Sequence, residues 1–340
     1  MNHSRVFVTG AYGFLGQHLV RALCEYEDID VYQARHSTLP SFGCNLLVPE
    51  HIDNVFSNSG PLDYVFHLAG YNGGIAFNAK EPARIFADNT IMALNVMEAC
   101  RRHKVKKVVS VVASCAYPAM TQKFYDNAWP TGQEACTEEP REICPEYDFL
   151  EGPPHDSVAC HGYAKRNLQL ASAFYRKQYG LNAVCACPTT LYGPGDSFDP
   201  ERTKVMGAMV KRFVDAADDK APTVSVWGSG NPMREFLYVT DAAKLLIETM
   251  LHYDDSELPL NLGTGQEVSI MGLAALVADA AGFEGTISFD NSKPDGQYRK
   301  RLDTARMNLA LPPMEFTSLN EGIRQTVQYY RETKHARLAG

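Results

Sequence analysis

The sequence contains no run of eighteen apolar residues, so no membrane-spanning helix is expected. It has no excess of positive charge: 32 Lys and Arg against 40 Asp and Glu leave −8, which argues against nucleic acid as a partner. It has no cysteine framework. Nine cysteines fall at 24, 44, 100, 115, 136, 144, 160, 185 and 187, an odd number without a pairing pattern, as expected of reduced thiols in a cytoplasmic protein. Cys136, Cys144, Cys160, His155 and His161 are close in sequence, yet no zinc-ligand spacing joins them and no metal is expected. Internal repeats and low-complexity tracts are missing too. Arg5-Val6-Phe7-Val8 already reads as a strand, so no secretory leader is expected.

What is present is alternation of strands and helices. Val6–Thr9, Ile29–Gln33, Asp63–Leu68, Lys107–Val112 and Val184–Cys187 read as strands. Between them lie helical patterns, among them Pro82–His103, with basic residues in its last turn, and a helix opening at His161. A further helix over 204–217 carries Val205, Met209, Val210 and Phe213 on one face. This order predicts an α/β fold, a Rossmann-like doubly wound parallel sheet with a smaller C-terminal α/β substrate domain. The 340 residues are long for one core. The expected division is interleaved: 1–190 and 223–262 for the cofactor domain, 191–222 and 263–340 for the smaller one.

The first strand runs into Gly10-Ala11-Tyr12-Gly13-Phe14-Leu15-Gly16 and then a helix. Glycines at that spacing let a pyrophosphate approach the backbone at a helix N-terminus, where N–H groups and the helix dipole favour an anion. Strand, glycine turn and helix in this order mark a dinucleotide site. The second strand ends in Gln33, Ala34, Arg35 and His36, with no carboxylate for an adenosine ribose. Arg35 can pair with a 2′-phosphate, which favours NADP over NAD. Leu68 and Ala69, small residues at a strand end, are expected over the cofactor. Asn89 and Asn95 fall inside a helix and read as exposed polar positions.

The glycine turn occurs with His67-Leu68-Ala69, Gly73-Gly74-Ile75, Ser114-Cys115, Tyr117-Pro118, Pro188-Thr189 and Leu191-Tyr192-Gly193-Pro194. Further on come Val226-Trp227-Gly228-Ser229-Gly230, Pro232-Met233-Arg234-Glu235-Phe236-Leu237 and Ser292-Lys293-Pro294-Asp295-Gly296. Over nearly its whole length the chain thereby resembles the extended short-chain dehydrogenase/reductases, and within them the branch acting on GDP-linked 4-keto sugars. The resemblance implies epimerisation at C3 and C5, reduction at C4 by NADPH, and a homodimer formed through the helices near 82–103 and 161–179. It also implies that Arg212, Trp227, Arg234 and Lys293 surround the nucleotide, with Asn72, Ser114 and Thr190 nearer the sugar, and that Lys165 reaches the cofactor.

Two residues of that family's reductive site are absent. A Tyr is expected four residues before Lys165, on the same helix face, and the position holds His161. The expected Ser position holds Ala113; Ser114 is adjacent, but on an extended backbone it would face the other way. The resemblance implies an acid/base pair for epimerisation at Cys115 and Lys204, the latter standing where this branch has His and a sister branch has Lys. A Lys beside Cys115 is expected to lower the thiol's pKa and favour thiolate. The catalytic set is therefore Cys115, Lys204, His161 and Lys165, which leaves C4 reduction open. Two other readings stay open: a reductase or dehydrogenase on another substrate, with His161 in place of Tyr, and a silent nucleotide-sugar-binding subunit. The loop from Ala119 to Cys160, with its Glu138-Glu139-Pro140-Arg141-Glu142 run, is expected to cap the site or lie in solvent.

Overall fold

The computed structural model describes residues 3–34, 43–119, 143–200, 202–293, 295 and 299–339. Elements are numbered in chain order. The principal sheet contains β1 (Ser4–Thr9), β2 (Ile29–Gln33), β3 (Tyr64–His67), β4 (Lys107–Val111), β5 (Ala183–Pro188) and β9 (Leu260–Leu262). Its order is β2-β1-β3-β4-β5-β9, and every pairing is parallel. The doubly wound arrangement follows from the strand sequences. Side chains alternate across a strand, so Val6 and Val8 face one layer while Phe7 faces the other. The first layer is closed by α1 (Phe14–Leu23) and α7 (Val239–His252), which pack together. The second is closed by α4 (Pro82–Arg102) and α5 (Ala159–Tyr179). With both faces covered, β5 is buried along its whole length, which explains its unbroken apolar run.

A second group of elements gathers around β8 (Met233–Tyr238). It pairs with β6 (Thr190–Tyr192), β10 (Glu267–Ser269) and β12 (Arg299–Lys300), while β7 (Thr223–Trp227) pairs with β11 (Thr286–Asp290). The helices α6 (Val205–Asp218), α8 (Ile270–Ala281) and α10 (Leu319–Ala339) pack there through a separate core containing Met209, Phe213, Phe236, Leu273, Val277 and Ile323. The range 223–262 therefore splits. Strands β7 and β8 lie outside the principal sheet, whereas α7 and β9 belong to it.

Buried amides tie these layers together, and one of them reverses a sequence expectation. Asn89 is not exposed. It is 5% accessible, donates to the carbonyls of Tyr71 (2.8 Å) and Ile85 (2.7 Å), and accepts from the Tyr71 N–H (2.9 Å). Asn95, half-buried, donates to the Leu46 carbonyl at 2.9 Å. Position in a helix hides such roles, because the partner groups come from loops distant in sequence.

Asn261 is the strongest of these ties. Fully buried on β9, it accepts from the Tyr117 hydroxyl (2.7 Å) and donates to the carbonyls of Cys144 (3.0 Å) and Asp303 (3.1 Å). Its backbone N–H donates to Glu146 Oε1 at 3.2 Å. Replacing Asn261 with Leu removes three side-chain hydrogen bonds and leaves the buried Tyr117 hydroxyl without its partner, so N261L is expected to lower stability by about 3 kcal/mol. Urea unfolding followed by tryptophan fluorescence measures this; an unchanged midpoint would refute the role.

Candidate active site

The site is built along the carboxyl edge of the principal sheet. At its first strand the chain turns at Gly10 with φ +69°. A Cβ there would lie 2.8 Å from the Ala69 nitrogen, and a Cβ on Gly16 would lie 2.1 Å from the Gly10 carbonyl oxygen. The turn is thus as narrow as backbone allows, and Ala69 forms its wall. Gly13 precedes α1 without a capping side chain, so the helix's first N–H groups remain available to an anion. Phe14 and Leu15 open the helix, and the Tyr12 side chain is exposed. Arg35 lies outside the described residues. Beside the turn, Thr9 Oγ1 accepts from the Ala69 N–H (3.2 Å) and shares a hydrogen bond with His67 Nδ1 (2.9 Å). Burial, reinforced by Lys165, pushes His67 down to about 3, so this imidazole is neutral.

The central part of the site follows β4. Ala113 is extended (φ −142°, ψ 141°), and the chain then enters a 3-10 turn, Ser114–Ala116. Ser114 therefore does not continue an extended strand, and the alternation expected for its side chain does not apply. Against this turn packs the start of α5. A Cβ on Gly162 would lie 2.8 Å from the Cys115 carbonyl oxygen, so only glycine permits the approach. Arg166 secures it, donating to the carbonyls of Ala116 (2.7 Å), Gly152 (2.6 Å) and Glu151 (2.7 Å). Tyr163 is 43% exposed and lies on another face from His161 and Lys165, which are 5% and 6% accessible.

Lys165 Nζ donates to the Val111 carbonyl at 2.7 Å and lies beside Gly70, whose Cβ would be 4.0 Å away. Burial pushes this ammonium down to about 8. His161 is pushed down to about 3, first by burial and then by Lys165, Lys204 and Lys300. Its Nδ1 is buried and has no hydrogen-bond partner among the described residues. Lys204 occupies the position just before α6, exposed at the mouth of the site, and Asp196 stands behind it. Asp196 accepts from the Ser197 N–H (2.7 Å) through Oδ1; burial raises its pKa, with Lys204 opposing.

Cys115 is half-buried, and here the sequence expectation is corrected. Burial raises the thiol above its ordinary value; Lys300, Lys204 and Lys165, in that order, oppose the rise without reversing it. Lys165 and Lys204 lie within electrostatic reach of both Cys115 and His161. The structure adds Lys300, which the sequence did not indicate, because its strand has only two residues and no periodicity of its own.

On the second unit, Lys293 Nζ lies 5.8 Å over the Trp227 ring, which is 66% exposed. Asp295, not foreseen, accepts from the Ser229 N–H (2.6 Å) and hydroxyl (2.8 Å) and so fixes this loop. Arg212 is exposed and donates to the Ser225 carbonyl at 2.6 Å, two residues from Trp227. Arg234 donates to the Met233 carbonyl at 2.7 Å and pairs in register with Lys300. Thr190 opens β6 in register with Phe236. Asn72 accepts from Asn78 (3.1 Å), a buried amide that also donates to the carbonyls of Gly73 and Gly74. Of the long loop, residues 120–142, including the Glu138–Glu142 run, lie outside the described residues.

Residues 6–263 match the model of the NAD dependent epimerase/dehydratase family. A probable GDP-L-fucose synthase from Oryza sativa subsp. japonica is 35% identical over 331 residues, covering 96% of this chain and 92% of the relative. The GDP-L-fucose synthase of Escherichia coli K12 is 32% identical, covering 98% of each. Among solved structures, a GDP-L-fucose synthetase from Naegleria fowleri bound to NADP is similar with a TM-score of 0.79 and 28% identity, covering 98% of this chain and 96% of that one.

Two neutral buried imidazoles make stability depend on acid. The unfolded chain binds protons near pH ~6.5 that native His67 and His161 take up only near 3, so stability falls as pH drops through that window. Each contributes a slope of at most about 1.4 kcal/mol per pH unit. Urea midpoints between pH 5 and 6.5 should therefore fall less steeply for H161Y than for the natural chain; parallel slopes would contradict a neutral His161.

Proposed function

Because the chain belongs to the NAD dependent epimerase/dehydratase family, we propose that it is an NADP-dependent epimerase of a GDP-linked 4-keto sugar, with C4 reduction a minor activity. The observation that supports the reading is that Lys204, with Lys165 and Lys300, lies within electrostatic reach of both Cys115 and a neutral His161. The GDP-L-fucose synthases similar over nearly the full chain support the nucleotide and the keto sugar. The Naegleria relative's NADP and the narrow Gly10–Gly16 turn support the cofactor. When bound, the nicotinamide supplies two-electron reduction at C4.

A C4 ketone acidifies the protons on C3 and C5. Epimerisation removes such a proton on one face of the ring and returns one on the other, which requires two groups on opposite sides. Cys115, on the turn after β4, takes the proton as thiolate, and Lys204, at the start of α6, returns one as ammonium. The negative charge that develops on O4 meets a field dominated by Lys165, Lys204 and Lys300. Reduction at C4 instead requires a proton delivered to O4. Ala113 has none to give, and a neutral imidazole with its pKa pushed down to about 3 is a weak donor.

Trp227, Lys293, Arg234 and Arg212 hold the nucleotide in this reading, and Thr190, Asn72 and Ser114 line the sugar. The two-lobe division and a cytoplasmic location, the latter supported by eight described cysteines all unpaired, belong to it as well. So does a homodimer. Phe86, Ile91 and Leu94 on α4 and Tyr163, Leu170 and Phe174 on α5 leave an apolar face exposed across two packed helices, suited to a second copy.

The protein incubated with GDP-4-keto-6-deoxymannose in deuterated water, without NADPH, is expected to place deuterium at C3 and C5, read by NMR. Cys115→Ser should slow this by about a hundredfold or more. No exchange by folded, cofactor-loaded protein would sink the epimerase reading. NADPH consumption should be slow in the natural chain and rise about a hundredfold in the double variant Ala113→Ser, His161→Tyr, which restores the missing donors. Rapid NADPH consumption by the natural chain would instead establish His161 as a working reductive acid.

A further inference from the structure

The short strand β12 delivers a lysine to the reacting thiol. Along 299–302 the side chains alternate. Arg299 forms a bidentate pair with Glu267 (Nη2 to Oε2 2.6 Å, Nε to Oε1 3.0 Å), and Arg301 approaches the same carboxylate at 3.9 Å. Lys300 and Leu302 take the opposite side, and Leu302 is 1% accessible. Backbone contacts hold this side against the sheet edge: the Cys144 N–H donates to the Arg301 carbonyl (2.8 Å), and the Leu302 N–H to Glu235 Oε2 (3.1 Å). On that inner side Leu302 shares a core cluster with Cys144, Cys187 and Ala116, the residue after Cys115, and Lys300 lies within electrostatic reach of the Cys115, Cys144 and Cys187 thiols. No carboxylate pairs with it among the described residues, and Arg234, its register partner on β8, acts on it as a like charge.

Cys115 feels Lys165 from α5, Lys204 from the start of α6, Cys187 from β5 and Lys300 from β12, and His161 on α5 feels the same three lysines. Both imidazole and neighbouring thiol are neutral. Lys165 is engaged with the Val111 carbonyl, and Lys204 is exposed to water. Lys300 is partly buried and has no carboxylate partner among the described residues, so its field on the sulfur is less screened than that of exposed Lys204.

We propose that Lys300 is a positioning residue that holds Cys115 ready to ionise, its ammonium compensating the buried thiolate more strongly than Lys204 does. This rests on the epimerase reading only for its use in turnover. Thiolate formation itself requires no substrate, so the two can fail separately.

The test is the pH dependence of Cys115 alkylation by iodoacetamide, resolved from the other thiols by peptide mass spectrometry, in cofactor-loaded protein. Lys300→Met should raise the midpoint by about one pH unit, a tenfold loss of thiolate at pH 7.5. Lys300→Arg should retain the natural midpoint, and Lys204→Gln should shift it less than Lys300→Met. If Lys300→Met does not fold, Lys300→Gln serves. An unchanged midpoint in a folded neutral variant, an equal shift in Lys300→Arg, or folding only with a charged residue at 300 would overturn the proposal. A shifted midpoint in protein that shows no deuterium exchange would uphold the thiol's partner and reject the epimerase reading.

Discussion

Residue 162 can carry no side chain, because the Cys115 carbonyl occupies the space where a Cβ would go. This close approach sets the position of α5 against the end of β4, and much else follows from it. It brings His161 and Lys165 under the turn that carries Cys115. It lets Arg166 collect carbonyls from that turn and from 151–152, so the guanidinium serves as a cross-link between segments that lack regular pairing. It also crowds the half-buried sulfur, and burial is the largest influence on the thiol's ionisation.

The site is one where desolvation and charge oppose each other. Burial alone would leave a protonated thiol, a neutral imidazole and a weakened ammonium. Three lysines counteract this at Cys115 but worsen it at His161, because the same positive field that helps an anion hinders a second cation. A tyrosine at 161 would gain from that field, since its ionised form is negative. Histidine loses. The replacement at 161 therefore changes the sign of the site's effect on that residue, not merely its reach, and it favours chemistry through carbanions over proton delivery to an oxygen.

The sequence made the dinucleotide turn, the alternation of strands and helices and most of the candidate cluster legible, because these depend on local spacing: glycines between a strand and a helix, four residues from His161 to Lys165, a proline after Tyr117. It could not reveal the sign of the shift at Cys115, which depends on how much water reaches the sulfur. Nor could it reveal Lys300 or Asp295, whose partners lie on strands and turns far away in the chain. Asn89 and Asn261 were hidden for the same reason. Each is a polar residue whose meaning comes from loop carbonyls that only the folded chain assembles.

The two-residue strand β12 is too short to fix its own alignment by backbone pairing. Glu267 does so from outside, gripping Arg299 and Arg301 while Lys300 faces inward. A change of one codon in length just before Arg299 would carry every side chain in this segment to the other face. An arginine would be driven among the thiols and the lysine turned out to Glu267, with the residues of the segment itself unchanged. This stretch should therefore accept substitutions far more readily than insertions or deletions, an unusual constraint for a segment joined to its neighbours by loops.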